Sequence, residues 1–517
     1  MTDMSAAART LQSLADGVLL PGFHGSVAPD WFRRRISDSL GGVCLFATNV
    51  IDVEQVRVLT DSLRSERPDV VVAVDEEGGA VTRLDAAEGS RFPGAAALGR
   101  VDDIGLTERI GAAVGRLTAA AGITLNFAPC ADVLTDPANP VIRIRSFGTA
   151  PELVARHTAA FVRGHQAQGV AACVKHYPGH GNTDVDTHLG QAVVHQNLES
   201  LRHSALLPFA AGVAAGVASV MAGHLLVPEV DALPASVSGR WLVDILRGEM
   251  GFTGVVVTDA LDMAAIARRY GLVEGAVMAV EAGADLLCLG AADTTPEVLD
   301  HISSALVAAV GTGRIDEERL VRAATRAAGL GVLPPPVSPA RLAEDRRIAD
   351  QAARRALATV GSLPPLMPGL LVVRCEAGRN FAVGSVPWGP MAVMPPSFGA
   401  IEVVVTHDAP VPLELLPAAP QVLVVTSDRH RHDWMRAAVA LVRSIRPDAV
   451  LVEMGTGGVS DADAPALASY GSGPANARAV LDRLVGGPGG AVGSAGAHTP
   501  VQRQSAMDGS SSPCSRV

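Results

Sequence analysis

Residues 170–176 read Val-Ala-Ala-Cys-Val-Lys-His, five small or apolar residues ending abruptly in a lysine and a histidine. A run this short and this evenly apolar fits a strand buried on both faces, the kind a parallel sheet requires. Seven other runs share the pattern: GVLLPG (17–22), GGVCLF (41–46), VVVAVDEE (70–77), ITLNFAPCAD (123–132), ASVMAGH (218–224), GVVVTDA (254–260) and ADLLCLG (284–290). Helix-like segments separate them, so the first two thirds of the chain reads as repeated βα units. Several runs close on polar residues, namely Asp75–Glu76, Asp132, Lys175–His176, His224 and Asp259. Polar side chains at the carboxyl ends of buried strands are the mark of a (β/α)8 TIM barrel with its site at that rim. A doubly wound sheet is the competing architecture; eight units over roughly 330 residues favour the barrel.

Beyond the barrel, SPARLAEDRRIADQAARRALATVG reads as a long connecting helix, followed by a Pro-rich stretch. The apolar runs LLVVRCE, IEVVVTH, QVLVVTS and DAVLVEMG, with a helix from about 432 to 445, then predict a smaller α/β sandwich domain. The expected division is 1–337 barrel, 338–366 connector, 367–485 second domain and 486–517 a disordered tail. The tail prediction rests on a Gly- and Ser-rich composition too poor in hydrophobes to form a core.

A 517-residue chain that is 48% hydrophobic can bury two cores, and a net charge of −11 argues against a nucleic-acid partner. The six cysteines show no CxxC pair, and four lie in apolar runs, so buried free thiols in a reducing compartment are expected. The first residues lack a basic stretch followed by an apolar core, which predicts no secretory leader, no membrane partner and a cytoplasmic location. Lys175 is the only lysine among 42 basic residues. In a chain that otherwise uses arginine, a lone lysine marks a contact where a compact ammonium is required.

That lysine opens the densest polar cluster, Lys175-His176-Tyr177-Pro178-Gly179-His180-Gly181-Asn182-Thr183-Asp184-Val185-Asp186-Thr187-His188. KHYPGHG followed by Asp186-Thr187-His188 resembles the signature of glycoside hydrolase family 3, in particular its NagZ-like β-N-acetylhexosaminidase branch. VDEEGGAVTRL, NFAPCADV, NPVIRIRSFG and GFTGVVVTDALDM resemble further segments of that family in the same order, over about residues 15–335. Ile144 departs from the family pattern, in which a polar residue commonly precedes the arginine equivalent to Arg145.

The resemblance implies an exo-acting, retaining β-N-acetylglucosaminidase with Asp259 as nucleophile and a His188–Asp186 dyad as acid/base. It also implies sugar contacts from Asp75, Arg83, Arg145, Lys175 and His176. No cofactor and no metal are expected, and the partner is a small sugar substrate, a GlcNAc glycoside or a muropeptide from cell-wall recycling. The residues allow the chemistry. Asp259 closes an apolar strand, whereas Asp262 falls where it would cap the next helix. A carboxylate beside His188 favours the imidazolium and keeps a proton available near neutral pH. For Asp75 and Arg83 a structural ion pair is the alternative. The basic run Arg429–His432 reads as solvated, and only 3% aromatic content argues against a long stacking platform. Three rival functions stay open: a phosphorylase of the same family, a β-glucosidase or β-xylosidase, and a non-catalytic sugar-binding barrel.

Overall fold

All eight apolar runs form short parallel strands in the computed structural model, which describes residues 10–292, 294–378 and 382–486. They are β1 (Leu19–Pro21), β2 (Gly42–Leu45), β3 (Val71–Val74), β4 (Leu125–Asn126), β5 (Ala171–Tyr177), β6 (Ser219–Ala222), β7 (Val255–Thr258) and β8 (Leu287–Leu289). β2 to β7 pair in sequence order, and β8 pairs with β1. A bridge from Val257 to Leu286 joins β7 to the β8 end. β1 lies against β2 without a ladder, the one break in the ring. Helices such as Val53–Glu66, Ile104–Ala120, Pro151–Gln166 and Leu272–Ala282 fill the outer layer.

Side-chain alternation, with its period of two, sorts each strand into an inner and an outer row. Leu20, Cys44, Val71, Ala73, Leu125, Cys173, Met221, Val257 and Cys288 form one buried interior cluster. Val43, Leu45, Val72, Val74, Val174 and Val256 pack instead with the helices. Extending the inner row by two residues from Ala73, Cys173 and Val257 reaches Asp75, Lys175 and Asp259. The strand pattern alone therefore delivers three polar groups to one rim.

The second domain is an open sheet in the order β11-β10-β12-β13-β14-β9. Its strands are β9 (Ala358–Val360), β10 (Leu371–Cys375), β11 (Ile401–Val405), β12 (Val422–Thr426), β13 (Val450–Glu453) and β14 (Ala466–Ala468). All pairs are parallel except β14 with β9. β9 and β14 are three-residue, alanine-containing strands without the apolar runs that announce the other four. The expected tail lies, beyond Gly486, outside the described residues. No described helix is long and apolar enough to cross a membrane.

The connecting helix, Pro339–Ala356, packs against the barrel helices Ala95–Val101 and Ile104–Ala120 and against Pro474–Val485 of the second domain. Its Asp345 takes a two-pronged ion pair from Arg116, at 2.8 Å from Nε and 2.5 Å from Nη2, with the carboxylate 1% exposed. Removing one partner of such a pair strands the other charge. Asp345→Ala is expected to cost about 3 kcal/mol, read as a lowered urea midpoint. Arg116→Leu/Asp345→Leu should recover most of that loss; no recovery would mean the pair is not what holds this contact.

Candidate active site

The rim of the barrel closes around a cavity of about 150 Å³, lined by Asp75, Arg83, Arg145, Lys175, His176, His188 and Asp259 among others. Seven of the eight candidate residues thus share one chamber. The eighth, Asp186, stands behind His188 and bonds to it.

Lys175 extends from β5, and its Nζ lies 2.5 Å from Asp75 Oδ1 and 2.7 Å from Glu77 Oε1. Burial alone would lower its pKa, but the two carboxylates more than reverse this, and the ammonium is held firmly charged. Glu77 also receives a fork from Arg145, with Nη2 at 2.7 Å and Nε at 3.0 Å. Burial raises the Glu77 pKa, yet Arg145 and Lys175 outweigh it and bring the group down to about 2. Arg83 stands 3.9 Å from Asp75, too far for the structural ion pair to be its main engagement. Its Nη2 donates instead to the Ala382 carbonyl of the second domain at 2.8 Å. Ala382 itself lines the chamber. Glu76 shapes the turn that presents Arg83, one oxygen accepting from Thr82 Oγ1 and from the backbone N–H groups of Arg83 and Leu84.

His176 is fixed by Asp132. Its Nδ1 lies 2.7 Å from Asp132 Oδ2, which leaves Nε2 toward the chamber, 3.3 Å from Arg145 Nη2. The same carboxylate accepts from the backbone of His176 and His180 and from Cys130 Sγ. Burial opposes ionisation of Asp132, but His176 and His180 hold its pKa well below the usual carboxylate range. Asp132 therefore pins both ends of the turn that starts the loop after β5.

That loop carries the dyad. Asn139 Nδ2 donates to the carbonyls of His180 and Thr183, both at 2.8 Å, and ties the loop to the barrel rim. At Gly181 a Cβ would sit 1.8 Å from the Val133 carbonyl, so only glycine permits this approach. Further along, Asp186 Oδ1 accepts from the His188 backbone at 2.9 Å and bonds its Nδ1 at 2.7 Å. The short Asp-x-His spacing lets one oxygen fix both the backbone and the ring. Nδ1 is thereby committed as the donor to Asp186, which fixes the ring's orientation and its tautomer. Burial lowers the His188 pKa, but Asp186 and Asp259 together raise it above the ordinary histidine value.

Asp259 follows β7 directly. Its Oδ1 accepts from the Ala260 N–H at 2.9 Å. Burial raises its pKa, and the imidazoles of His224, His176 and His188 more than compensate, so the net shift is downward. His224 is held by Ser236 Oγ at 2.7 Å and the Ala260 carbonyl at 2.9 Å. Asp262 does not cap a helix. Its Oδ1 accepts from the Gly290 N–H at 2.7 Å, and the helix Ala264–Tyr270 starts with Met263 as its cap. Its carboxylate is spent on joining the β7 and β8 ends. The result is an ionised carboxylate and a proton-retaining imidazole on one chamber, the pairing that displacement at carbon with protonation of a leaving oxygen requires.

Among the described residues one compact group has metal-ligand chemistry, Cys130, Asp132 and His176, with ligand atoms within 4.8 Å of one another. It fits a cation poorly. Asp132 is already filled by four donors, burial pushes the Cys130 thiol up and so keeps it protonated, and the Arg145 guanidinium adjoins His176.

Glu77, Asp132 and Ala382 are absent from the set expected from sequence. Glu77 stands two residues from Asp75 in the same motif, on the same inner row, and that spacing was its only signal. The basic run also differs from expectation. Arg429 bonds Asp463 at 2.7 Å, and Arg431 reaches the barrel at the Ala138 carbonyl, 2.8 Å away.

Comparison with known proteins places the barrel in a family. Residues 33–330 match the glycosyl hydrolase family 3 N-terminal domain, and the chain belongs to that family of glycoside hydrolases. It is 35% identical over 306 residues to a beta-hexosaminidase of Stenotrophomonas maltophilia, covering 56% of this chain and 89% of that one. A beta-hexosaminidase of Chromobacterium violaceum is 37% identical over 303 residues, covering 57% and 83%. Among solved structures, a family 3 beta-N-acetylglucosaminidase from Paenibacillus sp. superposes with a TM-score of 0.79 at 31% identity, over 92% of this chain and 96% of that one. A beta-glucoside phosphorylase shares the fold at 18% identity, with a TM-score of 0.74 over 93% and 92%.

Proposed function

We propose that this chain is an exo-acting, retaining β-N-acetylglucosaminidase. The reading is carried by Asp259 and His188 lining one small chamber with pKa values pushed in opposite directions, the carboxylate down and the imidazole up. In the first step an Asp259 oxygen bonds the anomeric carbon as the bond to the leaving oxygen breaks, and that oxygen takes the proton from His188 Nε2. In the second step neutral His188 takes a proton from water. The resulting hydroxide attacks the anomeric carbon, and Asp259 departs as carboxylate. Asp75, Arg83, Arg145, Lys175 and His176 hold the sugar's hydroxyl and acetamido groups, and the chamber's size suits one ring. The hexosaminidase relatives support the sugar class, and the five buried free thiols among the described residues support a reducing, cytoplasmic setting. GlcNAc glycosides, muropeptides of cell-wall recycling among them, are the proposed substrates.

The phosphorylase reading has one observation in its favour: an imidazole replaces a carboxylic acid and repels phosphate less. Incubation of p-nitrophenyl β-GlcNAc with and without phosphate tests both. Equal release of free GlcNAc in the two is expected, whereas GlcNAc-1-phosphate appearing only with phosphate would select the phosphorylase. No cleavage at any pH from 5 to 8 would remove the enzymatic reading altogether.

The dyad also sets a pH dependence. His188 is a proton donor below its raised pKa, and donation is lost as pH rises through that value. Asp186→Asn keeps an acceptor oxygen but removes the negative charge that favours the imidazolium, so the alkaline limb of kcat/KM should move to lower pH. The acid limb, which follows Asp259, should stay in place. An unmoved alkaline limb would mean another group donates the proton.

A further inference from the structure

The interior of a (β/α)8 barrel is filled in layers, each built by side chains from alternate strands. Nearest the rim, the even strands contribute Cys44 from β2, Phe127 just beyond β4, Met221 from β6 and Cys288 from β8. All four line the sugar chamber and so form its floor. Three of them carry sulfur, and these three follow one another around the ring, with Met221 and Cys44 on either side of Cys288. The Cys288 thiol is hydrogen-bonded to that of Cys44, and this contact together with burial pushes it up, so it keeps its proton. Other buried thiols are placed differently. Cys130 bonds Asp132, and Cys173, in the same barrel interior, does not reach the chamber. Cys375 lies in the second domain.

A thiol pair with a thioether beside it is a donor set for soft, closed-shell cations, which prefer sulfur to oxygen. The floor supplies that set without a carboxylate or an imidazole, unlike the Cys130–Asp132–His176 group. Its backbone also leaves room for adjustment. Cys288 pairs in register with Leu20 of β1, but β1 has no ladder to β2. No ladder hydrogen bonds therefore fix the spacing of Cys44 from Cys288 across that seam.

We propose that this sulfur floor is a binding site for one soft monovalent cation of the copper(I) and silver(I) class, held by Cys44 and Cys288 with Met221 as a third donor. Each thiol that coordinates gives its proton to solvent, one S–H bond breaking for each bond from cysteine sulfur to metal, and no electron changes hands. The site goes beyond the glycosidase reading and touches it at one point. The Cys288 N–H donates to Thr258 Oγ1 at 3.1 Å, directly before Asp259, and a cation on the floor takes up space that a sugar ring uses. Metal and sugar therefore exclude one another.

Silver nitrate in chloride-free buffer is the probe, titrated calorimetrically into the full chain carrying Cys514→Ser, which removes the one cysteine outside the described residues. One tight site per chain is expected. Cys44→Ser and Cys288→Ser should each weaken it at least tenfold, Met221→Leu several-fold, and Cys375→Ser not at all. Met221→Leu nearly conserves volume, which preserves the test if a serine variant does not fold. No tight site, a tight site retained in either Cys44→Ser or Cys288→Ser, or an unchanged affinity in Met221→Leu would overturn the assignment. One equivalent of Ag+ should also abolish cleavage of p-nitrophenyl β-GlcNAc, and full cleavage with the site filled would overturn its placement on the chamber floor. If the chain cleaves nothing even without silver, the glycosidase reading fails by itself, and the calorimetric result still decides the metal site.

Discussion

Asp259→Asn is expected to lower kcat on p-nitrophenyl β-GlcNAc by on the order of 10⁴-fold or more, a loss of roughly 5 kcal/mol of barrier stabilisation. The amide keeps the shape of the carboxylate, and its oxygen can still accept from the Ala260 N–H, so thermal unfolding should change little. The large effect follows from the proposed role as nucleophile. A neutral amide oxygen does not form the glycosyl ester, and the three imidazoles that hold Asp259 ionised have no charge to stabilise once it is gone. A variant retaining kcat within tenfold of wild type would show that another group attacks the anomeric carbon.

His188→Ala should fail in a different way, one that depends on the substrate. Removing a general acid costs roughly 10²–10⁴-fold where the leaving oxygen needs a proton. A chitooligosaccharide, with its alcohol leaving group, should lose the full amount. A 2,4-dinitrophenyl glycoside departs as a stable anion and should lose far less, until hydrolysis of the glycosyl-enzyme becomes limiting and an early burst of phenol appears. Equal losses across leaving groups would assign His188 to binding and not to proton transfer.

The barrel was legible because its strands are buried on both faces and mainly apolar until they reach the rim, where Asp75, Lys175 and Asp259 stand two positions beyond Ala73, Cys173 and Val257. The dyad was legible through the resemblance of KHYPGHG and Asp186-Thr187-His188 to the family signature, and the two residues prove close enough in sequence to bond within one turn. The ion network was not. Asp75, Glu76 and Glu77 are three adjacent carboxylates to a reader of sequence, yet one bonds Lys175 with Arg83 farther off, one supports the Arg83 turn, and one bridges Lys175 to Arg145. The alternation of the strand sets Glu76 apart from the other two. Ala382 was beyond reach for another reason, since its part is played by a backbone carbonyl that every residue owns. Asp262 shows the converse: its position suggested a helix cap, and a neighbouring strand end, which is distant in sequence, claimed its carboxylate instead.

The grip of the second domain on Arg83 and Arg143 bears on how such a chain can change over time. The beta-hexosaminidase of Stenotrophomonas maltophilia is matched over 89% of its length by 56% of this chain, so a barrel of this kind exists with little else attached. Here, though, one arginine of the sugar chamber ends on the Ala382 carbonyl, and another at the rim ends on Asp428. Shedding the distal half by a single deletion would take both of those partners at a stroke. Positions 83 and 143 would feel such a loss most directly, which makes those two arginines the place to look for the seam.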